Sequence, residues 1–280
     1  MRMPDRIPPS TLELPYPSMS EGRRVSISFY TDEALFEACG VRMAFTERFG
    51  GVSEGPYESL DLGTAAAGLC DAPERTAENR SVAARALGAQ GMPLIVPNQV
   101  HKDTVVVCGD ISEVSDVQKA ADGGADAVVV TCSGVAAMLR FADCVPVVVV
   151  SPTGAFAVVH AGWRGVVARI VEKAICSLAE KDGASVFSYN AYIGPHIRPC
   201  CFQVGEDVAL TFSREFGAEV VGDDRHVDMV AALTQSMTRV GMNPDRIADL
   251  GVCTVEDERF FSYRRSGGDC GRHGAMAFRI

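Results

Sequence analysis

Three short runs of β-branched residues in the middle of the chain constrain its fold most strongly. They cover Ala127–Thr131 (AVVVT), Val145–Val150 (VPVVVV) and Ala155–Val159 (AFAVV). A strand that is apolar at every position, rather than at alternate positions, has both of its faces covered by other layers of the protein. The sequence therefore predicts a buried β-sheet inside a layered domain.

Helical patterns follow these runs. Apolar residues recur at helical spacing from Arg164 to Gly183, and two later helices are predicted over Glu206–Phe216 and Asp228–Val240. The C-terminal third ends in three strand-like segments, VCTVED, RFFSYRR and AMAFRI. The fold class predicted from this mixture is α+β, a single layered α/β domain with mixed β-sheets flanked by helices.

The length of 280 residues allows one large domain or two small ones. Five of the 14 prolines fall within the first 17 residues, which predicts a flexible N-terminal tail over residues 1–24. No repeat or linker follows residue 25. We therefore expect residues 25–280 to form a single domain.

Charge and hydropathy exclude several classes of partner. The net charge of −10 argues against nonspecific nucleic-acid binding, which needs Lys and Arg to neutralise phosphates. No apolar stretch approaches the ~20 residues that span a bilayer, and the N-terminus lacks the apolar core of a secretory signal. Ten scattered cysteines then indicate free thiols in the reducing cytoplasm. The oligomeric state stays open.

Three residues at the ends of predicted strands are candidate metal ligands. His101 lies in NQVHKD, Cys144 in FADCVP and His160 in HAGWRG. Thiolate and imidazole groups suit zinc or copper, and three protein ligands with a fourth position open are typical of catalytic zinc. Alternatively, the two histidines are hydrogen-bonded structural residues and the cysteine packs in the core.

Two arginines lie beside glycines that let the backbone approach a ligand. Arg164 follows the only tryptophan at a strand-to-helix turn, where free N–H groups favour an anion. Arg48 precedes Gly50 and Gly51 in TERFGGVSEG and is a candidate substrate contact. Neither segment has the pattern of a phosphate-binding or dinucleotide-binding loop. The alternatives are a turn with Trp163 packed on the core and an ordinary surface turn.

Two further groups of thiols and imidazoles are present. Cys200 and Cys201 adjoin near His196, and Cys270 precedes His273 by three positions. Either group can assist a metal, but packing is the favoured interpretation. Because neighbouring side chains point in different directions in any regular backbone, we expect at most one of Cys200 and Cys201 to face a site.

Several of these segments together resemble one family. The chain is similar to the YfiH-type laccase-domain proteins, variously called multicopper polyphenol oxidases, purine nucleoside phosphorylases and peptidoglycan editing factors. The matching stretches run in order from about residue 42 to residue 280: FTERFGGVSEGPYESLDLG, NQVH, FADCVPVVV, HAGWRG, IGPHIRPCCFQVG and CTVEDERFFSYRRSGG. Phe141 and Gln203 depart from the family pattern, and neither position is a predicted ligand.

The resemblance implies a function and assigns roles to residues. It places a catalytic metal on His101, Cys144 and His160, and a substrate contact on Arg48. It implies zinc-dependent phosphorolysis of adenosine, inosine, guanosine or methylthioadenosine, together with deamination of adenosine. A purine nucleoside and phosphate are then the substrates, with Arg164 as an anion or nucleoside contact. Asp143 supports the site or transfers a proton.

Three other functions stay open. The first is oxidation of phenols by copper; a complete multicopper laccase uses roughly ten histidines, and this chain has five. The second is hydrolytic editing of peptidoglycan precursors, as one of the family's names implies. The third is a non-catalytic zinc-binding module, in which removal of the metal unfolds the protein.

Overall fold

The structure is a computed structural model that describes residues 13–63 and 71–280. Strands in the described residues are β1 (Ser20–Arg24), β2 (Ile27–Thr31), β3 (Val41–Thr46), β4 (Leu94–Ile95), β5 (Val105–Cys108), β6 (Ala127–Val130), β7 (Ala136–Phe141), β8 (Val145–Val150), β9 (Phe156–Ala161), β10 (Asn190–Ile193), β11 (Ile247–Asp249) and β12 (His273–Arg279). Helices are α1 (Glu33–Cys39), α2 (Pro73–Leu87), α3 (Val114–Asp122), α4 (Trp163–Val167), α5 (Ile170–Asp182), α6 (Glu206–Phe216), α7 (Met229–Arg239) and α8 (Tyr263–Ser266).

The strands form two six-stranded sheets. Sheet one has the order β1-β2-β3-β12-β7-β4, and sheet two has the order β11-β10-β8-β9-β6-β5. Most neighbouring strands are antiparallel, but β4–β7, β5–β6 and β10–β11 are parallel. Both sheets are therefore mixed, as predicted.

The core explains why the central strands are apolar at every position. In β8, Val148 and Val150 face sheet one across a shared core, whereas Val147 and Val149 pack with α5, α6 and α7 on the other side. On the outer face of sheet one, residues such as Met138 pack with α2. The layers run helix, sheet, sheet, helix, so the predicted burial of β6, β8 and β9 on both faces is confirmed.

The predicted N-terminal tail is wrong for residues 13–24. Leu14 is buried, and its carbonyl accepts a hydrogen bond from the buried Arg246. Strand β1 pairs along its whole length with β2. Pro15 and Pro17 precede β1, which itself contains no proline. Residues 1–12 of the predicted tail lie outside the described residues.

Other local predictions also need correction. The helix predicted from Arg164 is two helices, α4 and α5, because Arg169 between them adopts a left-handed φ of 65°. VCTVED forms turns, since the Arg265 guanidinium donates to the carbonyls of Thr254 and Val255. RFFSYRR contains the short helix α8, whose N-terminus is capped by Ser262. In the described part of the chain, no helix combines the length and the apolar character needed to cross a bilayer.

Candidate metal centre and adjoining cavity

The structure brings the three predicted metal ligands together at one edge of sheet two. Ligand atoms of His101, Cys144 and His160 all lie within 4.8 Å of one another. Cys144 immediately precedes β8, and His160 in β9 is the register partner of Pro146 in β8. His101 lies in the loop before β5. Because β5, β6 and β8 run opposite to β9, their first residues meet the end of β9 at the same edge.

Asp126 holds this set in place, and sequence reasoning missed it. Its fully buried carboxylate lies 2.8 Å from Nδ1 of His160. Since a carboxylate only accepts, Nδ1 carries the proton and Nε2 is left for a metal. The same carboxylate accepts backbone N–H groups from Val100, His101 and Lys102 at 3.3, 3.0 and 2.8 Å. The available signal was an acidic residue directly before the all-apolar strand β6.

The ligands are electrostatically coupled. Burial raises the pKa of the Cys144 thiol, but His160 and a hydrogen bond from His101 lower it to about 6. Burial lowers the pKa of His160, but the Cys144 thiolate and Asp126 raise it to about 9. Near neutral pH the metal-free pair is therefore a thiolate beside an imidazolium. A bound cation takes the place of that proton between the two ligands.

Gly162 makes room for the ligand side chains. A Cβ atom at this position would lie 3.0 Å from Cδ2 of His101 and 3.3 Å from Sγ of Cys144. The loop HAGWRG therefore needs a glycine here for a steric reason, in addition to any freedom at the turn. One sulfur and two imidazoles, one of them oriented by a buried carboxylate, fit zinc or copper.

The ligands open into a cavity of about 540 Å³ that also contains three arginines, Arg140, Arg264 and Arg272. These guanidinium groups take part in none of the ion pairs found in the described chain. Burial and the nearby Arg80 lower the pKa of Arg140 to about 10, so it stays charged at neutral pH. A chain with a net charge of −10 thus has a cationic cavity beside the candidate metal centre.

Asp143 also lines the cavity, but its carboxylate is engaged. One oxygen accepts the hydroxyl of Thr254 and the other accepts the backbone N–H of Arg264, both at 2.7 Å. The residue has a φ of 88° and directly precedes Cys144. These bonds fix the backbone at Cys144. Both carboxylate oxygens are therefore engaged, and the role of Asp143 in support or proton transfer stays a prediction.

Arg48 and Arg164 lie elsewhere. The Arg48 guanidinium donates to the carbonyl of Glu58 at 2.8 and 2.5 Å and stacks 4.5 Å from the ring centre of Phe261. Arg164 is exposed and stacks on the neighbouring Trp163. Neither is among the described residues that line the cavity. The arginines that face the candidate metal centre are the three named above, which sequence reasoning did not single out.

The remaining histidines do not join the centre. Burial lowers the pKa of His196 to about 4 and that of His273 to about 3, so both are neutral core residues.

Cys200 and Cys201 differ from expectation. They lie in a tight turn closed by hydrogen bonds to the carbonyl of Arg198, and both sulfurs approach Cys253. The expectation that only one faces a site assumed regular backbone, which this segment lacks.

Fold and site together define a layered α/β protein with a candidate His₂Cys metal centre at a sheet edge. The chain belongs to the family described as multi-copper polyphenol oxidoreductase laccase, whose sequence profile matches residues 42–279. The resemblance found in the sequence is thereby confirmed.

Two relatives and one solved structure are similar over most of the chain. A purine nucleoside phosphorylase from Streptomyces coelicolor is 36% identical over 231 residues, which are 81% of this chain and 90% of the relative. An adenosine deaminase from an unknown prokaryotic organism is 35% identical over 209 residues, 71% of this chain and 79% of the relative. The crystal structure of the hypothetical protein YfiH from Bacillus licheniformis superposes with a TM-score of 0.80 at 23% identity, covering 91% of this chain and 97% of that one. At that identity the likeness shows the fold.

Proposed function

We propose that this protein is a zinc-dependent purine nucleoside phosphorylase of the cytoplasm, which also deaminates adenosine at the same site. The two relatives carry the names of these two activities. The observation that carries the proposal is the cavity, where three arginines without an acidic partner in the described chain lie beside His101, Cys144 and His160. One catalytic domain then binds both phosphate and nucleoside.

The arginines fit phosphate as the co-substrate. Arg140 is held in the wall, because its guanidinium donates to the side chain of Gln99 at 3.2 Å and to the carbonyl of Pro97 at 2.6 Å. Arg272 donates through Nη1 to the carbonyls of Cys270 and Gly271. A guanidinium fixed in this way presents its remaining N–H groups in one orientation, which favours a planar, bidentate contact with phosphate oxygens.

The nucleoside needs an apolar surface for its base. Ile197, Phe202 and Tyr263 line the same cavity, and the Tyr263 side chain is 55% exposed. An exposed aromatic ring offers a stacking surface to a purine at a small entropic cost. With the base against these side chains and phosphate on the arginines of the same cavity, a phosphate oxygen can reach the anomeric carbon, where the bond to the base breaks as the new C–O bond forms.

His101, Cys144 and His160 would hold the zinc ion, and Asp126 fixes the proton on His160. A zinc ion held by these three ligands would supply Lewis-acid chemistry and would lower the pKa of a water molecule towards neutral, which suits deamination. The positively charged arginines serve the phosphate reaction and have no required part in water attack on the base. The two activities therefore depend on different parts of one cavity.

Copper is the alternative metal, favoured by the sulfur ligand and by the family's description. Against a multicopper centre, the described structure brings two of the five histidines to this site, whereas His196 and His273 are buried elsewhere. Phenol oxidation would therefore need a single copper ion at the His₂Cys set.

The deciding experiment follows adenosine in metal-quantified protein, with and without phosphate. We expect adenine and ribose 1-phosphate only when phosphate is present, and inosine in both cases. Cys144→Ala should lose the zinc ion of this centre and both products. Cys176→Ser, at an exposed thiol on α5, is the matched control and should retain them. Phosphorolysis that survives in Cys144→Ala would overturn the proposed role of the centre. Oxidation of a phenol by copper-loaded protein, without nucleoside turnover by zinc-loaded protein, would favour the alternative.

A further inference from the structure

Three cysteines that the proposed function does not use meet beside the cavity wall. The sulfur atoms of Cys200, Cys201 and Cys253 all lie within 4.8 Å of one another. Each is a free thiol, and their exposure falls from Cys200, which is exposed, through Cys201 to the buried Cys253. A soft cation arriving from solvent can therefore reach the outer sulfur first and the buried sulfur last.

Backbone hydrogen bonds hold the two cysteine-bearing segments together. The backbone N–H of His196 donates to the carbonyl of Val252, and the N–H of Thr254 donates to the carbonyl of His196. The turn that carries Cys200 and Cys201 is closed by the N–H groups of Cys201 and Phe202, which both donate to the carbonyl of Arg198 at 2.9 Å. The three sulfurs are thus placed by the backbone rather than by chance contact of mobile side chains.

The spacing suits a metal ion. Zinc–sulfur bonds of about 2.3 Å place sulfurs roughly 3.8 Å apart around a tetrahedral ion. Small side-chain rotations bring sulfurs within 4.8 Å to that separation. Burial raises the pKa of the Cys253 thiol, but backbone N–H groups of Arg198, Val255 and Glu256 outweigh it and lower the pKa. Burial and the neighbouring Cys253 raise the pKa of Cys200 and Cys201, so these two give up protons when a cation binds.

We propose that Cys200, Cys201 and Cys253 form a second metal site, separate from His101, Cys144 and His160, for a thiophilic cation of the Cu(I) or Zn(II) type. An all-sulfur ligand set selects such ions over hard cations. Binding displaces thiol protons and needs no oxidant or reductant, because the ion arrives in the oxidation state in which it is held. The proposal concerns binding alone and stands whether or not the protein acts on nucleosides.

The second site is connected to the cavity by direct contacts. Arg264, which lines the cavity, donates through its guanidinium to the carbonyls of Cys201 and Gln203 at 3.0 and 3.2 Å. Thr254, next to Cys253, donates its hydroxyl to Asp143, which precedes Cys144. An ion on the three thiolates therefore ties together two segments of the cavity wall. We assign it a stabilising role there.

The test measures metal stoichiometry in full-length protein under anaerobic, reducing conditions. Wild-type protein loaded with Zn²⁺, or with Cu⁺ in a second arm, should hold two ions per chain after desalting. Cys144→Ala should hold one. Cys144→Ala combined with Cys200→Ser and Cys201→Ser should hold none, whereas Cys144→Ala with Cys176→Ser should still hold one. Cys200 and Cys201 are chosen because neither is buried, so their replacement leaves the core intact.

Cobalt supplies an independent readout. Co²⁺ added to Cys144→Ala should give an intense sulfur-to-metal charge-transfer band, and the band should disappear in the Cys200→Ser, Cys201→Ser background. The Cys200→Ser, Cys201→Ser variant with Cys144 intact should lose one ion of two. The proposal is overturned if Cys144→Ala retains neither Zn²⁺ nor Cu⁺, or if its retained ion is indifferent to Cys200 and Cys201. A disulfide among the three cysteines in protein that binds no ion would also overturn it.

Discussion

The carboxylate of Asp126 accepts the Nδ1–H of His160 at 2.8 Å and, in the same buried position, the backbone N–H of His101 at 3.0 Å. One side chain thus orients two of the three candidate ligands, although one lies in a loop and the other in β9. Such a partner fixes the tautomer of a metal-binding histidine and raises its basicity. The centre is therefore preorganised by a residue that does not itself face the cavity.

Replacement of Asp126 by Asn should weaken zinc binding by roughly 10–100-fold, the usual effect of losing such a partner. The amide keeps the shape but removes the negative charge that stabilises the Nδ1–H. Competition with a chromophoric chelator measures the affinity. Asp103→Asn, in the loop that carries His101 but paired with Lys173 at the surface, is the matched control and should be unaffected. An unchanged affinity in Asp126→Asn would mean that His160 is oriented by its packing alone.

How much of this site can be read from the sequence depends on where each residue lies. His101, Cys144 and His160 could be selected as candidates because each is a metal-type ligand close to a recognisable apolar run, and the family resemblance then favoured a metal over a structural role. Asp126 is also at a strand end, but an acidic residue beside a glycine pair has the composition of an ordinary turn. The cavity arginines were missed for a different reason. Arg140 lies inside a buried strand, where a charge is not expected, and Arg272 meets the site only through tertiary packing.

The fold likewise has parts that the sequence predicts and parts that it does not. Strands buried on both faces and helices with a clear apolar side were predictable, since each depends on local pattern. The edge strand β1 was not, because its residues are mostly exposed and it is defined by pairing with β2. The turns around Cys253 were also not predictable, because side-chain donors such as Arg265, several residues away in the sequence, determine them. Local pattern therefore predicts the layers of this protein, and tertiary hydrogen bonds determine the loops that complete the site.

Zinc affinity should depend on pH in two stages. Binding requires a neutral imidazole at His160, whose pKa is about 9, and a thiolate at Cys144, whose pKa is about 6. Between these values one proton leaves for each ion bound, so affinity should rise roughly tenfold per pH unit. Below about pH 6 two protons must leave for each ion bound, so the zinc affinity should change roughly a hundredfold per pH unit. Zinc-affinity titrations from pH 5 to pH 9 on the Cys200→Ser, Cys201→Ser variant measure this centre alone. A zinc affinity that does not change above pH 6 would contradict an imidazolium at His160.

Gly162→Ala should damage the centre while leaving the protein folded. The added Cβ would lie 3.0 Å from His101 and 3.3 Å from the Cys144 sulfur, closer than most real Cβ contacts, so at least one ligand must shift. We expect a clear loss of zinc affinity, measured by chelator competition, with a thermal midpoint near that of the parent. Gly222→Ala is the control because its Cβ has no neighbour closer than 3.6 Å. Equal zinc affinities in the two variants would show that the ligands have more freedom than the structure indicates.

Arg272→Met should separate the two proposed activities. Methionine keeps much of the apolar stem but removes the guanidinium, and a hydrogen bond to a charged group contributes about 1.5–3 kcal/mol. Such a loss raises the KM for phosphate by roughly 10–100-fold at constant temperature. Adenosine deamination uses water instead of phosphate, so its rate should change little. The readout is the ratio of adenine to the sum of inosine and hypoxanthine as phosphate is varied, because phosphate also cleaves inosine to hypoxanthine.

Arg239→Met is the matched control for this substitution, because Arg239 lies on α7 and pairs with Glu172 away from the cavity. It should leave the ratio of products unchanged at every phosphate concentration. A parallel fall of both activities in Arg272→Met would mean that this side chain supports the shape of the cavity, through its bonds to Cys270 and Gly271, rather than the charge of the phosphate. A selective rise in the KM for phosphate, with zinc content and deamination preserved, would show that this guanidinium binds the phosphate. The metal centre would then act on the base.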